Sequence, residues 1–61
     1  MLSWEIRNKE TGEVVGTEGC PGNAAELEMV LSEMNPDKTF TIVKVFTGDI
    51  RGINFTRMEV E

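Results

Sequence analysis

Residues 38–47, Lys-Thr-Phe-Thr-Ile-Val-Lys-Val-Phe-Thr, are dense in β-branched and aromatic side chains and form the clearest strand in the chain. Its two faces are both apolar. Phe40, Ile42 and Phe46 alternate onto one side with Lys44 among them, and Val43 and Val45 onto the other with threonines. Such a strand needs cover on two sides, yet the rest of this 61-residue chain offers a single helical segment. That mismatch constrains the fold more than any other feature.

The remaining elements follow from local pattern. Residues 2–7 alternate apolar and polar, with Leu2, Trp4 and Ile6 on one face, as a half-buried strand does. Asn8 opens a turn and Gly12 closes it, so residues 13–18 return as a second strand that puts Val15 beside Ile6. Gly19-Cys20-Pro21-Gly22 breaks regular structure. Asn23, with Glu26 three residues later, reads as a helix N-cap, and the helix spans 24–34. Ala24, Leu27, Val30, Leu31 and Met34 make its apolar stripe; Glu26, Glu28, Ser32 and Glu33 lie on or beside the solvent face. Asn35-Pro36 ends it. Gly48 to Gly52 is a turn, and residues 53–60 form the last strand.

The order ββαββ specifies a single two-layer α+β domain: a four-stranded, mostly antiparallel sheet with one helix on one face. The expected core is Leu2, Trp4, Ile6, Val15, Leu27, Val30, Leu31, Met34, Phe40, Ile42, Phe46, Ile53 and Phe55. A helix of about three turns cannot cover both faces of such a sheet. Val43, Val45, Met58 and Val60 are expected to share the uncovered face. They suit either an open antiparallel face or an interface with a second copy or a target protein. The thin core of so short a chain adds weight to the interface.

Charge is segregated along the chain, whose net charge is −5. From Glu10 to Asp37 there are seven acidic residues and no basic one; residues 38–61 hold Lys38, Lys44, Arg51 and Arg57 against three acids. The second strand, the loop after it and the outer helix face therefore form one acidic surface. Such a surface either keeps the domain soluble or docks on a basic site of another protein.

The chemistry absent from the chain narrows its function. There is no His and one Cys, so the commonest acid–base group is missing and neither an internal disulfide nor a thiolate zinc site can form. Cys20 is expected to be a small buried or half-buried plug. No acidic cluster has the spacing of a calcium loop, and no glycine-rich stretch leads into a Lys-Ser/Thr and a helix. These observations predict no catalytic residue, no cofactor and no metal: the chain is read as not an enzyme.

The reading that remains is a small acidic protein-binding regulator or inhibitor that occupies a surface of a larger partner. A partner with a basic site is expected, with a homodimer as a further assembly. Glu26, Glu28 and Glu33 on the helix, and Val43, Val45, Met58 and Val60 on the sheet, are the candidate contacts. One alternative is a nucleic-acid-binding module that uses the basic residues of the second hairpin; the acidic balance argues against it. Another is a structural component whose role is assembly. No stretch is long and apolar enough to span a membrane, and the lone Cys and the lack of a leader suggest a reducing cytoplasm. The small size suits an accessory product of a phage or mobile element.

Overall fold

In the computed structural model, which describes residues 1–50 and 53–60 and the side chains of 1–48, 59 and 60, the elements run ββαββ. They are β1 (Leu2–Asn8), β2 (Val14–Glu18), α1 (Pro21–Met34), β3 (Phe40–Ile50) and β4 (Ile53–Val60). All four strands join one antiparallel sheet in the order β2-β1-β3-β4. The N-terminal strand is thus central, paired with β3 from Leu2–Phe46 to Asn8–Phe40. Main-chain bonds between Met1 and Thr47 extend that ladder by one pair.

The first hairpin closes as its residues dictate. Asn8 Oδ1 accepts hydrogen bonds from the main-chain N–H groups of Glu10 and Thr11, and Gly12 adopts φ 79°, a left-handed value. β2 then departs from simple alternation. Ile6 pairs with Gly16 and Arg7 with Val14, which leaves Val15 as the extra residue of a β-bulge. The expected pairing of Val15 with Ile6 is replaced by Gly16, and Val15 is exposed.

Gly16 is where the helix meets the sheet. A methyl group built on it would lie 2.7 Å from Leu27 Cδ2 and 3.9 Å from Ile6 Cδ1. Glycine in a strand commonly marks such a close approach. With Leu27 seated there, α1 turns Ala24, Leu27, Glu28, Leu31 and Ser32 inward, and these are buried or half-buried. Val30 and Met34, expected in the core, are instead 41% and 73% exposed. Glu28 and Ser32, expected toward solvent, flank the sheet.

The helix also starts earlier than Asn23 suggests. Cys20 is the N-cap, Pro21 occupies the first turn, and the Ala24 N–H donates to the Cys20 carbonyl at 3.0 Å. Proline is suited to that position because its missing N–H would have had no partner within the helix. Cys20 makes no side-chain cap and is exposed, not a buried plug. At the other end the Asn35 main-chain N–H and its Nδ2 both donate to the Leu31 carbonyl, and Pro36 prevents continuation.

β3 continues through Ile50, past the turn expected at Gly48. Gly48 has φ 138°, which only glycine tolerates readily, and it sits where the β3–β4 register shifts. Phe46 pairs with Met58 and Gly48 with Phe55, so one residue of β3 faces two of β4. The extra residue reverses which side of β4 faces the helix. The register therefore places Met58 and Val60 in line with Phe46 and Lys44, on the helix side, and not with Val43 and Val45 as alternation suggested. Phe40, Ile42 and Phe46 take the expected helix side in register with Ile6. The expected burial of Ile53 and Phe55 lies outside the described side chains.

Among the described residues, Ile6, Ala24 and Val45 are the fully buried side chains. Two predictions follow from the helix contacts. Gly16→Ala asks only that the flexible tip of Leu27 shift, whereas Gly16→Val should destabilise the domain by about 1–3 kcal/mol in urea unfolding. Cys20→Ser supplies the missing cap and should stabilise by about 0.5–1 kcal/mol in the same assay.

Candidate docking surfaces

The sheet face away from α1 is covered by charge. Ser3, Glu5 and Arg7 of β1 stand in register with Val45, Val43 and Thr41 of β3, and Glu59 of β4 stands beside Val45. The Arg7 guanidinium donates to Glu5 Oε1 through Nε at 3.2 Å and Nη2 at 2.9 Å. Nη2 also lies 2.7 Å from Glu59 Oε1. Since β3 separates β1 from β4, the second contact carries the arginine across the middle of the sheet. Its head is paired at both ends of that crossing.

This arrangement changes the standing of the sheet candidates. Val45, expected to be open, is 1% exposed, and Val43 is half-buried. Val60 belongs to the other face by register, as does the position of Met58, whose side chain lies outside the described residues. The four residues do not form one exposed patch.

The helix candidates fare differently. Glu26 and Glu33 are exposed, and Glu28 is half-buried at the flank of the sheet. Beside Glu26 runs an open groove of about 270 Å³ between α1 and β2, lined by Glu18, Asn23, Glu26, Leu27 and Val30. Its floor is aliphatic and both walls carry a carboxylate. Val30 in the groove is 41% exposed and Met34, one turn further along α1, is 73% exposed; Val14 and Val15 on β2 are exposed as well, Val14 in register with Arg7 on the opposite sheet face. Periodicity assigned Val30 and Met34 to the core and so concealed this surface. The signal that could have revealed it is Gly16, a strand glycine that fixes the roll of the helix.

Among the described residues, no three His, Cys, Asp or Glu side chains converge as a metal site. Among the same residues, no helix is long and apolar enough to cross a membrane. Compared with known protein families, curated proteins and solved structures, the chain matches none.

Arg7 is testable as a cover. Arg7→Ala should cost about 1–2 kcal/mol, chiefly through lost packing over β3. Arg7→Met keeps the stem and should cost less. A double-mutant cycle of Arg7→Met with Glu59→Gln should give a coupling below about 1 kcal/mol that shrinks with salt, because Glu59 is half exposed.

Proposed function

We propose that this chain is a small protein-binding regulator or inhibitor that docks the acidic α1–β2 side on a basic surface of a larger protein. One observation carries the reading: aliphatic side chains lie exposed beside carboxylates on this side. Val30 and Met34 stand in solvent beside Glu26 and Glu33 on α1, and Val30 lines the groove together with Glu18 and Glu26. Exposed apolar surface rimmed by polar groups is the usual mark of an interaction site. Like-signed carboxylates around it steer a cationic partner and oppose an anionic one.

The sheet face supports this choice by offering less. Val45 is buried and Val43 half-buried, so they bring little free apolar area to a partner. A reducing cytoplasm suits the reading as well, since Cys20 is exposed and has no second cysteine in the chain to pair with.

The test compares wild type with a Glu26→Lys/Glu33→Lys variant, each immobilised and exposed to lysate of the native host. A discrete protein should be held by wild type at low salt, released at about 0.5 M salt, and bound at least about tenfold more weakly by the variant. Retention by the variant at high salt would reject the acidic side as the docking surface.

A further inference from the structure

The edge of the sheet beside the groove has its own unused bonding capacity. Met1 and Thr47 exchange main-chain hydrogen bonds, and the Lys9 N–H donates to the Thr39 carbonyl. The odd residues of β1 therefore bond to β3. By the alternation of an antiparallel ladder, the even residues bond to β2, as the Asn8 N–H does to the Glu13 carbonyl. Trp4 and Ile6 pair with Glu18 and Gly16, so those two residues of β2 face inward. Thr17, between them, directs its N–H and C=O away from the sheet. It is exposed, and among the described residues it makes no main-chain bond to a turn, loop or cap.

An added strand would find side-chain sites as well as main-chain partners. Successive residues of a strand point to opposite faces. Every second residue of an incoming strand would point to the helix side, over Glu18 and into the groove floored by Leu27 and Val30. Glu18 and Glu26 on the walls would each receive a positive charge. A second copy of this chain fits poorly, because its β2 carries the same Glu13 and Glu18 and would double the negative charge along the edge. The residues that discourage self-pairing thus favour a cationic strand.

We propose that β2 accepts an extended cationic segment of the partner protein as a fifth strand, with an aliphatic side chain in the groove between two Lys or Arg. This rests on the proposed function and names how the partner is held. Main-chain bonds to Thr17 supply the docking, and the alternate side chains supply the selection.

The test uses the full chain and the peptide acetyl-Thr-Lys-Thr-Val-Thr-Lys-Thr-amide, followed by NMR titration and amide hydrogen exchange. Saturable shifts at Val15, Thr17 and Val30 are expected, with slowed exchange at the Thr17 amide. N-methylating the peptide nitrogens that would face β2 keeps every charge and should weaken binding at least about tenfold. Replacing both peptide lysines by Glu, or Glu18 and Glu26 of the protein by Lys, should do the same. If the N-methylated peptide binds as tightly as its parent, strand addition is wrong, while the charge-reversal result with the native partner still stands or falls separately. Shifts confined to β3 and β4 would also overturn it. So would a stable dimer in which Thr17 is already protected without peptide, since a second copy would then occupy the edge.

Discussion

The seat of Leu27 on Gly16 governs more of this structure than any other contact. It sets how far α1 is rolled about its own axis. That roll decides that Ala24 and Leu31 are covered while Val30 and Met34 are not. A residue as bulky as valine at position 16 would push α1 away from the sheet. The groove between α1 and β2 is therefore a consequence of one missing side chain in an edge strand.

The two faces of the sheet are covered by different physics. On one, the helix covers Ile6, with Ala24 buried on its inner side, and the gain comes from removing hydrocarbon from water. On the other, no helix is packed among the described residues. Arg7 lies across β3 between Glu5 and Glu59, and Val45 is as well buried beneath this side as Ile6 is beneath the helix. A chain of this length cannot build a third layer, and a long cationic side chain is an economical substitute. The cover is more sensitive to salt and to substitution than a helix would be.

Much of the architecture was legible in the residues. The element order, the alternation of β1, the turn residues Asn8 and Gly12, and the helix end at Asn35-Pro36 all follow from local rules, and the structure agrees with them. What was not legible depends on two bulges. Val15 breaks the count in β2, and the shift near Gly48 breaks it in β4. Each moves residues to the opposite face without leaving a mark in the alternation. Met58 and Val60 were grouped with Val45 for that reason. The helix start was hidden by competing signals, because Asn23 and Glu26 resemble a cap while Pro21 had already begun the first turn. The burial of Val45 could not be read locally, since its neighbours in the sheet, Ser3 and Glu59, come from β1 and β4 and lie far from it in sequence. For the same reasons, the acidic half of the candidate surface was visible in the sequence and the aliphatic half was not.

The placement of β1 between β2 and β3 has a thermodynamic consequence. The two hairpins form from neighbouring residues, but neither is a stable unit in water by itself. They become one sheet only when the first strand of the chain meets the third, a closure that spans most of its length. The domain is then expected to melt as a single unit, with no half that survives the other. Anything that grips the β2 edge would hold β1, and through it β3. Occupancy at that edge would raise the melting temperature of the entire molecule and not merely of the strand it touches.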